Sequence, residues 1–392
     1  MRLGINGFFW NLTTTGSGQY THQLLRGLSK LSDRPRCLLF RPRSSEPRSP
    51  TPQPTVDVEE HLLRPPFPLT RDLSKVWFEQ ISLPRACRNE GVDLIHVPYF
   101  APPLMGGDKT VVTIHDLIPL ILPAYRDSAL VRAYTKLVSA GARRAAAIVT
   151  DSRSSREDIL RLLRVDPARV RVVYLAAEDR FKPVRDSRQL QRVRRKYGLP
   201  EEYILYLGGF DQRKNLSTLV AAYAAVDADL SREAPLVIAG RLPARDSDFF
   251  PDPRRMVQRW NLQDKVFFIG WVAEEDKPAL YSGAALFVFP SLYEGFGLTI
   301  LEAMSCGTAV VASSSSSLPE IAGEAALLFD PCQTEELAEA VSSLLRNEIR
   351  REELAARGLE RARLFSLEKM ISQTMQVYES VMMSAQPVGD TV

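Results

Sequence analysis

The chain is predicted to be an α/β protein built from two doubly wound halves. Three observations carry this. Short β-branched apolar runs alternate with longer amphipathic stretches throughout, the pattern of strand–helix–strand units with parallel sheets. The alternation starts afresh near residue 203. And 392 residues are more than one ordinary core holds, so two domains are expected.

In the first half, residues 3–5 read as a buried strand, followed by a Thr/Gly/Ser loop and an amphipathic stretch over 20–31. Further β-rich runs are 37–40, 93–97, 110–114, 146–150 and 170–174, with helical stretches at 78–90, 129–144 and 156–163. The second half repeats the scheme. Strands are expected at 203–208, 236–239, 266–269, 286–289, 309–312 and 326–329, and helices at 215–225, 278–282, 300–305 and 334–345. A charged linker over 178–195 divides the chain into 1–182 and 183–366, leaving 367–392 as a final helical stretch and a frayed tail. Residues 41–70 hold eight prolines and few apolar residues. They read either as a mobile loop beside the site or as a disordered surface insertion.

Hydrophobic residues at 45% and charged residues at 25% are ordinary for a soluble globular protein. No run approaches the roughly 18 apolar residues of a membrane span. The start, Met1 to Gly7, lacks a signal peptide's apolar core. The four cysteines are scattered, with neither a Cys-x-x-Cys pair nor clustered histidines. No disulfide framework or zinc site is implied, and a reducing cytoplasm is expected. Residues 1–196 carry 33 Lys and Arg against 19 Asp and Glu, and the remainder 17 against 28. Two readings follow: an anionic partner for the first half, such as an acidic membrane surface or a pyrophosphate-bearing acceptor, or a solvated arginine-rich surface. Nucleic acid does not fit, because the arginines are spread out and no recognised motif or aromatic cluster accompanies them.

The most informative stretch is Ser291-Leu292-Tyr293-Glu294-Gly295-Phe296-Gly297-Leu298-Thr299, running into Ile300-Leu301-Glu302. A strand, a glycine turn and a helix start make an anion site, because free backbone N–H groups and the helix dipole both favour a phosphate there. Glu294 stays on the loop and Glu302 sits one to two turns into the helix. That spacing suits a nucleotide sugar. Gly208-Gly209-Phe210-Asp211-Gln212-Arg213-Lys214 places two cations at another helix start, where the dipole opposes them unless an anion is bound. Thr14-Thr15-Gly16-Ser17-Gly18 follows the first strand but lacks the full dinucleotide spacing, so an oxidoreductase is not supported. Thr113-Ile114-His115-Asp116 ends a strand at the edge where doubly wound sheets place ligands. His96 ends another and is the next candidate, on the acceptor side. Asp227-Ala-Asp229 and Asp246-Ser-Asp248 read as surface turns rather than metal ligands, and no essential metal is expected.

Glu294-x7-Glu302 within PSLYEGFGLTILEAMSCGTAVVAS resembles the signature of retaining GT-B glycosyltransferases, in particular glycosyltransferase family 4 (group 1). The likeness spans nearly the whole chain. TIHDLIPL and GGFDQRKNL are most similar to the branch that builds bacterial surface polysaccharides, often with mannose. The resemblance implies two Rossmann-like domains facing across a cleft that holds the active site, with the last helix crossing back onto the first domain. It implies retaining transfer of a hexose from a nucleoside diphosphate sugar to a hydroxyl of a glycan or lipid-linked acceptor. GDP-mannose is favoured as donor, with UDP-glucose and related donors open, and no separate cofactor is required. Such an enzyme would be cytoplasmic or peripheral at the inner membrane face.

By the same resemblance, Glu294 binds the sugar hydroxyls and Glu302 those of the ribose, while Arg213 and Lys214 neutralise the departing diphosphate. The family often has arginine where this chain has Gly209. Gly16 and Gly18 face the diphosphate and acceptor, as do Gly208, Gly295, Phe296, Gly297, Leu298 and Thr299 on the donor side. Gly270-Trp271-Val272 passes the nucleobase, and Ser313 to Ser317 with Pro319-Glu320 packs beside the diphosphate. His115 hydrogen-bonds the transferred sugar, and Asp116 orients its imidazole or contacts the acceptor. Two rivals remain: a non-catalytic nucleotide-sugar binder and a sugar-nucleotide epimerase of the same fold.

Overall fold

The computed structural model describes residues 1–43, 58–65, 70–106, 109–126 and 128–384. It divides into two compact units. One comprises Met1–Tyr174 with the final helix Leu367–Ser384, and the other comprises Leu175–Ser366. The division falls ahead of the expected 182/183 boundary, because the segment after Tyr174 already belongs to the second unit. There Val184 N–H donates to Ser282 Oγ, and Asp276 accepts from Arg192, Lys196 and Tyr197. The expected charged linker is therefore partly a helix, Ser187–Tyr197, capped by Asp186. Counted by unit, the charge split shrinks. The first unit holds 26 Lys and Arg against 19 Asp and Glu, and the second 24 against 28. About a third of the apparent basic excess of the first half lies on that one helix and its flanks.

The first unit's strands are β1 (Arg2–Asn6), β2 (Arg36–Pro42), β3 (Glu59–Leu63), β4 (Leu94–Val97), β5 (Thr110–Thr113), β6 (Ala147–Thr150) and β7 (Val170–Val172). They form one sheet in the order β3-β2-β1-β4-β5-β6-β7, with every neighbouring pair parallel. Parallel strands covered on both faces read as near-continuous apolar runs. Accordingly Leu3, Ile5, Leu38, Leu39, Phe40, Leu94, Val111, Val112 and Val149 are all fully buried. Each such side chain stabilises the fold by roughly 1.5–3 kcal/mol.

The reading of 41–70 as a single irregular segment is corrected at both ends. Arg41 and Pro42 lie in β2, and 59–63 form edge strand β3, where Arg41 pairs with Glu60 at 2.9 Å. The rest of that segment, 44–57 and 66–69, lies outside the described residues, as does the tail beyond Ser384. The final helix buries Met370, Ile371, Thr374, Val377, Tyr378 and Val381 at a three-to-four-residue spacing, one continuous stripe facing its own unit.

The second unit's strands are β8 (Ile204–Leu207), β9 (Leu236–Ala239), β10 (Val266–Gly270), β11 (Leu286–Phe289), β12 (Ala309–Ser313) and β13 (Ala326–Phe329). Their order is β10-β9-β8-β11-β12-β13, again all parallel. In both sheets the order reverses at one place, between β1 and β4 and between β8 and β11. Doubly wound sheets hold their ligands at the carboxyl ends of such strands.

Candidate active site

In the second unit the switch point brings together the two loops singled out in the sequence. After β8 the chain turns through Gly208 and Gly209, whose carbonyl accepts from Tyr206 Oη at 2.6 Å, into a 3-10 turn at Gln212–Lys214. Asn215 ends this turn at φ +56°, a left-handed conformation that asparagine tolerates. Its side-chain amide donates to the carbonyls of Pro290 and Pro331 at 3.1 and 2.9 Å. The turn is thereby stitched to the end of β11. Leu292 N–H also donates to Arg213 O at 2.8 Å.

Arg213 and Lys214 then meet one carboxylate. Arg213 Nη1 lies 2.7 Å from Glu294 Oε2, and Lys214 Nζ lies 2.6 Å from Oε1. All three side chains are mostly buried. Arg213 also donates to Tyr293 O, and Lys214 Nζ sits 5.0 Å from the centre of the Phe289 ring. Burial alone would push the Glu294 carboxyl up, but the adjacent Lys214 and Arg213 outweigh it and hold the group below its ordinary value. The Ser-rich loop after β12 braces this arrangement. Glu294 N–H donates to Ser316 Oγ, and Ser317 Oγ donates to Glu294 O, at 2.8 and 2.9 Å. In this structure, then, Glu294 pairs with the two cations that the sequence assigned to a diphosphate.

The helix Leu298–Ser305 opens at Gly297, which has φ +97°. A Cβ there would lie 2.6 Å from Leu318 Cδ2, so both conformation and space require glycine. No side chain caps this helix start, and Thr299 Oγ1 is buried without a hydrogen-bond partner. Phe296 is buried edge-on to Phe365, with ring centres 5.9 Å apart, and anchors the turn. Glu302 lies inside the helix, only 5% exposed, and accepts from Tyr281 Oη at 2.9 Å. Burial pushes its carboxyl up to about 7, against the opposing pull of Lys277 and the Tyr281 hydrogen bond. Tyr281 was not singled out in the sequence. Gly270 ends β10 at φ +69°, Val272 is buried, and Trp271 remains half exposed with the Arg241 guanidinium 5.8 Å from its ring.

In the first unit the helix Gly16–Ser29 begins at Gly16, earlier than periodicity suggested. Gly18 is demanded by packing, since a Cβ would lie 2.2 Å from the Leu12 carbonyl oxygen, and its N–H is taken by the Thr15 cap. His115 follows β5 and gives its Nδ1 hydrogen bond to Asp151 Oδ2 at 2.7 Å. Asp116 acts on the imidazole by its charge, which favours the protonated ring. Its Oδ1 accepts from Ile118 N–H at 3.0 Å, fixing the turn. Asp151 was missed, although it follows the β6 run just as His115 follows β5, and the strand-end rule could have found it. His96 does not line a surface. It is fully buried, bonded to Tyr378 Oη and Thr113 Oγ1 at 2.5 and 2.8 Å, and burial pushes its pKa down to about 3.

The two Asp-x-Asp triplets are exposed. Asp227 accepts from Asp229 N–H, and Asp246 pairs with Arg255. Among the described residues no group of three or more His, Cys, Asp or Glu side chains could hold a metal ion, and no helix is long and apolar enough to cross a membrane.

Comparison with known proteins gives the family. The family model for glycosyl transferases group 1 matches residues 188–361, and that for Glycosyltransferase Family 4 matches 14–179. Over 273 residues the chain is 35% identical to O-antigen chain mannosyltransferase B of Escherichia coli, covering 69% of this chain and 70% of that one. Over 281 residues it is 31% identical to the serotype-specific mannosyltransferase WbdA of Escherichia coli, covering 71% of this chain but only 34% of that longer protein. Sucrose-phosphate synthase from Thermosynechococcus elongatus superimposes with a TM-score of 0.75 at 25% identity, over 98% of this chain and 100% of that one. The chain is thus a glycosyltransferase, and it belongs to the group 1 enzymes of glycosyltransferase family 4, with their GT-B fold.

Proposed function

We propose that the chain transfers a hexose, with mannose favoured, from a nucleoside diphosphate sugar to a hydroxyl of a glycan or lipid-linked acceptor, retaining the anomeric configuration. GDP-mannose is the first candidate donor, and UDP-sugars are the second. The observation that carries this reading is the Glu294–Arg213–Lys214 cluster beside the uncapped start of the helix Leu298–Ser305. The mannosyltransferase relatives support the choice of sugar and of surface polysaccharide as the product class.

The chemistry follows from the charges. A nucleoside diphosphate is a good leaving group, so the protein must mainly stabilise negative charge growing on its oxygens. Arg213, Lys214 and the amides of Leu298 and Thr299 are the groups suited to this, each donor contributing ~3–4 kcal/mol of transition-state stabilisation. As the diphosphate engages the cations, Glu294 becomes available to the sugar hydroxyls. Glu302 takes the ribose hydroxyls, Trp271 and Val272 border the base, and His115 hydrogen-bonds the transferred sugar. The acceptor oxygen attacks the anomeric carbon on the face the diphosphate leaves, and a donor phosphate oxygen takes its proton. No metal is required in this scheme. Peripheral contact with an anionic membrane rests on the first unit's surplus of cations and would show as salt-sensitive vesicle binding.

A thermal-shift panel of GDP, UDP, ADP and dTDP, with and without EDTA, tests the donor site, because a ligand of the folded state raises its melting point. The reading predicts an EDTA-insensitive shift with one nucleotide, lost in Lys214→Ala and Glu302→Ala. No shift with any of the four would remove it.

A further inference from the structure

The end of β6, the turn after it and the helix that follows hold His115 in three ways. Thr150 Oγ1 donates to Ile114 O at 2.7 Å, and Ser155 Oγ donates to His115 O at 3.0 Å, so the backbone of the β5 end is fixed from the neighbouring strand. Asp151, 1% exposed, takes the ring's Nδ1 hydrogen bond at 2.7 Å. Tyr20 meets the imidazole edge-on at 5.0 Å between ring centres. One polar atom of the ring is left over. His115 Nε2 is buried and forms no hydrogen bond of normal geometry, although the Pro98 carbonyl lies near enough to act on the ring. A buried polar nitrogen without such a bond costs free energy, and a structure that pins the rest of the residue while leaving that atom open calls for an explanation.

We propose that Asp151 is a positioning residue of the transfer reaction, fixing the His115 ring so that Nε2 is presented to an oxygen of the sugar substrate. The proposal rests on the role given to His115 above. An ionised carboxylate only accepts, so Nδ1 carries the proton and the tautomer is set by Asp151. Nε2 is then either an acceptor or, when the ring is charged, a donor. The groups facing the ring decide which. Burial pushes the His115 pKa down, whereas the Asp151 charge and hydrogen bond push it up, helped by Asp116 and the Pro98 carbonyl, and the net direction is upward. Tyr20 is held as a neutral phenol by burial, and His96 is held neutral nearby, so neither supplies an opposing charge near pH 7. The imidazole is thereby biased toward its charged form, with an N–H on Nε2 for a sugar hydroxyl oxygen.

The test uses full-length wild type, Asp151→Asn, Asp151→Ala and His115→Gln, with melting curves confirming that each folds. The first readout is the nitrogen-15 NMR titration of His115, assigned by its absence in His115→Gln. In Asp151→Asn the titration midpoint should move to lower pH. An unchanged midpoint and tautomer would overturn the proposal without reference to activity. The second readout is transfer against pH. Asp151→Ala should lower kcat by up to about 10²-fold with little change in donor KM, and Asp151→Asn should recover part of that loss, because its amide oxygen still accepts from Nδ1. The pH profile of Asp151→Asn should shift with the NMR midpoint. Transfer by His115→Gln at the wild-type rate would instead remove the role of His115, and the positioning role with it. Absence of transfer by wild type with every donor tried would count against the proposed reaction, and the NMR arm would still decide the pairing.

Discussion

Lys214 Nζ stands 2.6 Å from Glu294 Oε1 and draws that carboxylate toward the start of the helix Leu216–Ala224. Arg213 holds the other oxygen, so one negative charge is shared by two positive ones. A diphosphate carries more charge than a carboxylate and offers more oxygens, so it should compete for both cations. Breaking such a buried pair from one side leaves an uncompensated charge, which typically costs about 3–5 kcal/mol.

Glu294→Gln separates the two roles of this cluster. It removes the carboxylate that competes with the diphosphate while keeping the side chain's shape. Affinity for the free nucleoside diphosphate should hold or tighten by calorimetry. Sugar transfer should fall by about 10²–10³-fold, as expected for loss of a group that acts on the transition state. Parallel loss of nucleotide affinity would instead assign Glu294 to holding the cations in place.

Glu302 makes a prediction about pH. Its folded pKa is raised to about 7 by burial, above the ordinary value of 4.5. Between those two values the folded state binds the proton more tightly than the unfolded state. Its contribution to stability is therefore fully present below about pH 4.5 and is lost as pH rises through 7. Glu302→Gln keeps the Tyr281 hydrogen bond without a charge to bury. Relative to wild type it should gain up to about 3 kcal/mol at pH 8 and little at pH 5, measured by urea unfolding at both.

His96 predicts the opposite limb. It stays neutral in the fold, with its pKa pushed down to about 3, whereas the unfolded chain protonates near 6.5. The stability it contributes is present above pH 6.5 and is lost as pH falls toward 3. The loss amounts to roughly 3 kcal/mol at pH 4. In His96→Gln the slope of stability between pH 6 and 4 should flatten relative to wild type. An identical slope would mean that the imidazole is not sealed between Thr113 and Tyr378.

The strand pattern was legible because parallel strands covered on both faces are apolar along most of their length. Runs such as 236–239 and 286–289 match the observed strands to the residue. The glycine loops after β8 and β11 were legible for a related reason, since glycine and a polar run directly after such a strand mark its end. The helix Ser187–Tyr197 was not legible. It buries only Val193, and its anchor is Asp276, about 80 positions along the chain. The helix Glu348–Ala362 was passed over as well, because it buries only Leu354 and Gly358 beneath a charge-dense surface. Edge strand β3 reads as loop because it pairs on one side only, beside a proline-rich stretch. Asp151 was overlooked because its meaning lies in His115, 36 residues earlier.

Gly297 offers a test that separates strain from crowding at the loop before the helix Leu298–Ser305. Its φ of +97° disfavours any side chain, and a Cβ would sit 2.6 Å from Leu318 Cδ2. Gly297→Ala should lower stability by about 1–3 kcal/mol and weaken the nucleotide-induced thermal shift, because the first-turn amides must move with the backbone. Adding Leu318→Ala relieves the clash and leaves the dihedral strain. If crowding dominates, the double variant should regain nucleotide binding while its melting point stays low, since truncating a fully buried leucine itself costs about 2–5 kcal/mol. If binding stays lost in the double variant, the left-handed backbone at Gly297 is what aims the amides of Leu298 and Thr299.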